Sequence, residues 1–411
     1  METRRPDGLW MFAVVVAFVP IVAVVALGPD QAAPVASCDV LASLALPNGT
    51  ITGAEAIEAG AFVPPMRPGR SMSAGQRRQF EALPAFCRVT ATLTPSSDSE
   101  IKVEVWMPAT GWNGKMHAVG NGAFTGSHRY GSARSLASGL ERGYATASTD
   151  TGHEGGSASF ALGHPEKVID FGWRAVHEMT VTAKQVIAAF YGSGPEYSYW
   201  YGCSAGGRQA MMEAQRFPGD YDGIIAGAPG NDWTGRAAGS LRIANYLGAH
   251  EDAGLSAAKV ELVRMAVLEA CDAADGVIDK VVGDPERCDF DPAVLQCSGA
   301  DNGSCLTAAQ VNTVKMLYSS PENPKTGRAI TGVLPGSESN WTDLGWTRSA
   351  RASGLDQYRY LVYGDPEWTV DRFDFGTDIV RAEETDGGTL NALDPDQFSP
   401  LWLLRHRRAG A

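Results

Sequence analysis

The sequence predicts an α/β fold, a largely parallel sheet with helices packed on it and a large inserted lid. Three observations predict it. Strand-like segments alternate with segments of helical period through the first 230 residues. The aromatic strand Tyr197–Tyr201 runs straight into Gly202-Cys203-Ser204-Ala205-Gly206 and then into a helical pattern (Met211, Met212, Ala214). From about residue 231 the texture changes to a long, turn-rich, cysteine-bearing stretch.

Taken in order, Arg4 and Arg5 precede an apolar run from Leu9 to Gly28 and a small-residue exit ending at Ser37. That pattern describes an export signal over residues 1–37, with a retained membrane anchor as the alternative. Val35-Ala36-Ser37-Cys38 also has the look of a lipoprotein cleavage box. The expectation is a secreted or periplasmic protein. A net charge of −13 excludes general nucleic-acid binding, which needs clustered Lys and Arg. Export places the seven cysteines in an oxidising compartment, where bridges are favoured over metal. Nearest-neighbour pairing gives Cys38–Cys87, Cys271–Cys288 and Cys297–Cys305, one of several connectivities open to them, and leaves Cys203 unpaired.

Residues 38–230 read as the sheet-bearing core. Cys87–Leu93 is its first expected strand, and Ile101, Val103 and Val105 alternate with polar neighbours in the next. A short strand follows the turn at 111–114, then comes the glycine loop Gly120-Asn121-Gly122, and another strand covers Tyr144–Asp150. Residues 168–191 carry helical spacing, and Tyr221–Pro229 reads as a strand after the elbow. Residues 231–370 form the expected lid, with helices near 257–270 and 307–318, and residues 371–396 return toward the core. Residues 397–411 are a basic tail.

Gly202–Gly206 is a G-x-S-x-G nucleophile elbow, a tight strand-to-helix turn that exposes Ser204 above the sheet. An oxyanion formed there would be held partly by the Ala205 N–H. Gly122, in the loop after an early strand, is the candidate second donor, with an ordinary turn as its plainer reading. In the lid, Asp272, Asp275 and Asp279 crowd a glycine turn and repel one another unless a cation neutralises them. With the carbonyls of Val277 and Val281 they would make a calcium shell, and an acidic solvated loop is the alternative. Of the histidines, only His250 and His406 follow Ser204, while a hydrolase of this type orders its triad Ser, acid, His. His153 is the early histidine best placed to matter.

Taken together, these residues resemble the tannase/feruloyl esterase family of secreted α/β-hydrolases. The matching pieces are Gly120–Phe124, Ala145–His153, Gly202–Gln209, Phe217–Pro229, Cys271–Val277, Pro335–Glu338 with Trp341, and Asn391–Asp396. The resemblance implies a Ser204 nucleophile, a lid with structural calcium, and substrates that are esters of aromatic (phenolic) acids. It also implies that Cys203 bridges to a cysteine beside the catalytic histidine. After Asp396 the family continues into a strand carrying the catalytic aspartate and then His-Cys. Here the chain reads Gln397–Ala411, and those positions have no match. The expectation is a carboxylic ester hydrolase impaired by loss of its acid and base, its tail that of a truncated or frame-shifted gene. The alternatives are an exported, non-catalytic scaffold that binds calcium or aromatic ligands, and a serine peptidase on the same fold.

Overall fold

The computed structural model describes residues 33–66, 71–330, 332–342, 352–386 and 388–394. The export segment before residue 33 and the basic tail with His406 lie outside the described residues.

Seven strands form one sheet: β1 (Gly49–Ile57), β2 (Phe86–Leu93), β3 (Ile101–Pro108), β4 (Lys115–Val119), β5 (Ala145–Thr149), β6 (Tyr197–Cys203) and β7 (Gly223–Gly227). Their order is β1-β2-β3-β5-β4-β6-β7. The sheet is mixed rather than largely parallel: β1 to β3 and the β3–β5 pair run antiparallel, while β5, β4, β6 and β7 run parallel. Connection length explains one of the three antiparallel pairs, β2 with β3. Only residues 94–100 join β2 to β3, too few for the crossover that a parallel pair needs. From β4 onward each connection includes a helix, and the parallel half begins there.

Burial follows strand position. In β2, Cys87, Val89, Ala91 and Leu93 point into the core and alternate with partly exposed residues. β5 lies between β3 and β4 and is buried throughout, as a strand covered on both faces should be. β7 pairs only with β6 among the described residues, and Ile225 on it is 61% exposed.

The helix Ala175–Tyr191 buries Val176, Met179, Ala183, Val186, Ile187 and Phe190 against the sheet. It stops at Gly192, whose φ of +80° suits a glycine. The helical pattern from residue 168 resolves into Pro165–Ile169, a π-helical turn at Asp170–Arg174, and this helix.

Helices Trp233–Ala249, Ala257–Cys271, Ala308–Tyr318 and Phe375–Asp386 make a second body with its own apolar clusters. Val260, Val263, Val267, Val314 and Trp341 build one, and Leu241, Tyr358, Trp368, Phe373 and Ile379 another. The chain then touches the sheet domain again. Leu390 packs with Phe124, Ala205 and Trp233, and the Ala392 N–H donates to the Asn231 carbonyl at 2.8 Å.

Three disulfides join Cys38–Cys87, Cys271–Cys288 and Cys297–Cys305, and Cys203 is free. The bridge at Cys38 corrects the lipoprotein reading, because a sulfur committed to Cys87 cannot carry a thioether-linked lipid. Among the described residues no helix is long and apolar enough to cross a membrane.

Candidate active site

Ser204 sits between β6 and the helix Ala205–Arg216 with φ +62° and ψ −118°. A non-glycine residue held there is strained, and such strain persists only where the surroundings over-determine it. The restraints are visible. Ser204 N–H donates to the Gly227 carbonyl of β7 at 3.0 Å, and its carbonyl accepts from Arg208 at 3.0 Å and Gly230 at 3.1 Å. The side chain is exposed while its neighbours Gly202, Ala205 and Gly206 are buried.

The glycines are there for close approach. A Cβ on Gly202 would stand 2.1 Å from the Gly206 carbonyl oxygen, and one on Gly120 would stand 2.6 Å from the Gly206 Cα. The 120–122 loop is therefore pressed onto the first turn of the elbow helix, and the Gly206 N–H donates to the Asn121 carbonyl at 2.9 Å. Ala205 N–H belongs to that first turn, whose amides lack intrahelical acceptors. Gly122 N–H meets no acceptor among the described residues. Both candidate oxyanion donors thus lie beside the elbow with their hydrogens unspent.

The local motif did not show what fixes this loop. Asn121 is buried, and its amide group donates to the carbonyls of Ser127 and Thr149 at 3.0 Å each. Gln209, on the elbow helix, accepts from the Asn121 N–H at 3.0 Å and donates to its side chain at 3.3 Å. Arg208 is fully buried, donates to the carbonyls of Gly172 and Phe171, and lies over the rings of Phe171 and Trp233. Both residues stood inside the quoted motif, but their partners lie 36 to 88 residues away.

The described histidines are engaged elsewhere. His153 meets the Phe124 carbonyl through Nε2 at 2.8 Å and stacks on Phe160 at 4.0 Å, and burial lowers its pKa. It braces the loop that carries Gly122. Burial in the sheet pushes His117 down to about 4. His164 meets Asp98, His177 meets Asp220, and His250 stacks on Tyr246. Burial also lowers the pKa of His128, which lies beside Tyr130. None of these six histidines hydrogen-bonds Ser204, and Nδ1 of His117 and of His128 has no hydrogen-bond partner among the described residues.

Charge gathers on one side of the elbow. Arg134 lies beside Cys203, whose sulfur raises the arginine's pKa, and its guanidinium lies 5.9 Å from the centre of the Tyr201 ring. Arg129 sits 3.8 Å from where a Cβ on Gly122 would be. Beyond Gly230 a cavity of about 540 Å³ opens between the 229–232 loop and the helical body, lined by Arg236, Ile243, Ile330 and Val333 among others. A larger cavity of about 940 Å³ runs along β2 and β3, and neither cavity is lined by a residue of Gly202–Gly206. The smaller one is better placed for a substrate, because the Gly230 N–H holds the Ser204 carbonyl.

In the 272–281 loop, Asp272 accepts N–H groups from Asp279 at 3.2 Å and Lys280 at 3.0 Å, while Asp275 and Asp279 accept from Val277 and Val281. Among the described residues none of the three makes an ion pair, and the Val277 and Val281 carbonyls accept no hydrogen bond. The donor chemistry fits calcium: hard oxygens, uncompensated by Lys or Arg. The three carboxylates are turned onto backbone rather than gathered in one shell. The groups of three possible ligands that do converge among the described residues are elsewhere, and one of them holds the disulfide-bonded Cys297 and Cys305.

A sheet of this order, with a strained serine turn between β6 and a helix, is the core of an α/β-hydrolase. The tannase and feruloyl esterase family model matches residues 87–357, about two thirds of the chain. The chain belongs to that family. It is 40% identical over 362 residues to an uncharacterized esterase of Xanthomonas campestris pv. campestris, covering 85% of this chain and 61% of the relative. It is 37% identical over 290 residues to a probable feruloyl esterase B of Emericella nidulans, covering 70% and 54%. The crystal structure of feruloyl esterase B from Aspergillus oryzae superposes with a TM-score of 0.78 at 27% identity, over 91% of this chain and 72% of that one. The chain therefore spans a little over half the length of these curated relatives.

Proposed function

We propose that the protein is a serine carboxylic ester hydrolase of the feruloyl esterase type, acting on esters of aromatic acids through an acyl group on Ser204. One observation carries the reading: an exposed serine in a strained elbow, flanked by two backbone amides with no other acceptor. Ser204 Oγ attacks the ester carbonyl, its proton leaves to a base, and the oxyanion is held by the N–H groups of Ala205 and Gly122. Collapse expels the alcohol as the base hands it that proton, and water, giving a proton to the same base, then attacks the acyl group and releases the acid as the proton returns to Ser204 Oγ. The helical body acts as the lid, and its cavity beyond Gly230 takes the aromatic part; about 540 Å³ is within the usual size of a small-molecule site. Calcium at Asp272, Asp275, Asp279 and the Val277 and Val281 carbonyls would brace the lid loop. Three disulfides suit an exported protein.

A second reading, an aromatic-ligand-binding scaffold without turnover, is favoured by the lack of any hydrogen bond from the six described histidines to Ser204. Without a base, the oxyanion hole and binding alone supply only about 10³–10⁴ over water. Release of ferulic acid from methyl ferulate separates the two readings. Turnover above the uncatalysed rate that Ser204→Ala abolishes supports the hydrolase, and saturable ferulate binding with no turnover supports the scaffold.

A further inference from the structure

A polar cluster lies more than two turns along the elbow helix from Ser204, and none of its residues lines the cavity beyond Gly230. Glu213 is fully buried there, and neither carboxylate oxygen has a hydrogen-bond partner. Its carboxyl lies against that of Asp220, in the turn after the helix. Asp220 Oδ2 is 2.7 Å from Nδ1 of His177, on the helix Ala175–Tyr191. One ligand atom from each of the three lies within 4.8 Å of the other two. His177 stacks on Phe217 at 3.8 Å, which sets the ring plane. The other ionisable groups here are Lys184, which donates to the Asp220 carbonyl, and the buried Tyr221.

We propose that His177 Nδ1, Glu213 and Asp220 form a binding site for a zinc-class divalent cation. Two carboxylates placed side by side out of water need a proton or a cation between them. Lys184 donates to the Asp220 carbonyl and its charge also acts on Glu213, but neither Glu213 oxygen accepts a hydrogen bond among the described residues. The imidazole makes the donor set a mixed nitrogen and oxygen one, which suits zinc better than calcium or magnesium. Zinc ligands at about 2.0–2.2 Å in tetrahedral array stand roughly 3.3–3.5 Å apart. The His177–Asp220 pair reaches that spacing by opening less than about 1 Å as the metal replaces their shared proton. The His177 and Asp220 side chains are 27% and 15% exposed, which gives the ion a way in and leaves water a coordination position. The bound ion would tie the elbow helix to the long helix beside it, apart from the lid loop proposed for calcium.

The test is calorimetric titration of the chelator-treated full chain with zinc, repeated on His177→Gln and Glu213→Gln, with metal-free melting to confirm that each variant folds. The wild type should bind one zinc ion saturably. Each variant should lose more than the roughly 10–100-fold that removing a mere outer-shell partner costs. Cobalt should give a visible absorption band in the wild type that His177→Gln lacks. No saturable uptake by the wild type, or unchanged uptake by both variants, overturns the site and leaves Glu213 sharing a proton with Asp220. If Glu213→Gln does not fold, unchanged affinity in His177→Gln alone overturns it.

Discussion

Replacing Asp150 by Asn should remove a pH dependence built into the sheet. Asp150 follows β5 and is 3% exposed. Its Oδ1 accepts the N–H groups of Lys102 and Gly152 at 2.9 Å each, and its Oδ2 is buried without a partner. Burial pushes its pKa up to about 7, against the opposing pull of those two N–H groups and the Lys102 ammonium. A raised folded-state value means that the neutral acid fits the fold. Its contribution is complete below the unfolded-state value near 4 and is lost as pH climbs toward about 7. At about 1.4 kcal/mol per pH unit over roughly three pH units, the ceiling is about 4 kcal/mol. Asn keeps the shape and the Oδ1 acceptor and does not titrate. Urea unfolding of both proteins between pH 5 and pH 8 should show the wild type losing about 3 kcal/mol relative to Asp150→Asn, most of it before pH 7. Parallel stability curves would refute the reasoning, since the carboxyl would then ionise in the fold without penalty.

Three further outcomes follow from the same geometry. Gly120→Ala should cost about 1–3 kcal/mol, because its Cβ meets the Gly206 Cα and the Gln209 side chain; the melting temperature reads that cost. If the Gly122 amide is displaced with the loop, ester hydrolysis should fall by about 10²–10³ as well. Joint replacement of Cys38 and Cys87 by Ser should cost about 4 kcal/mol in urea unfolding, the loop-closure entropy of a bridge spanning 49 residues. EGTA should lower the melting temperature and calcium should restore it, and Asp272→Asn should abolish that response; a flat response in the wild type rejects calcium at the loop.

The elbow was legible in the sequence because its chemistry is local: two glycines, a serine and the strand and helix around them lie within a dozen residues. The disulfides Cys271–Cys288 and Cys297–Cys305, which span 17 and 8 residues, were legible for a similar reason. β1 was not, because Gly49, Gly53 and Glu55 weaken the strand signal, and its half-exposed edge position demands no continuous apolar run. The β2–β3 pair is antiparallel because of the short 94–100 connection, and strand composition alone does not report the direction of the other pairs. The Asn121–Gln209 clamp spans 88 residues, so no window of sequence could pair them. His177, Glu213 and Asp220 come from two helices and a turn, and their meeting is likewise a product of tertiary packing. In the lid loop the donor types were readable, but the direction each carboxylate faces was not.

The most direct test of the account is the site of covalent capture. Incubation with an aryl fluorophosphonate, followed by intact-mass and peptide analysis, should place a single phosphonyl group on Ser204, and Ser204→Ala should remain unlabelled. A properly folded chain that takes up no label, or takes it on another residue, would contradict the claim that this turn presents a nucleophile to an oxyanion hole.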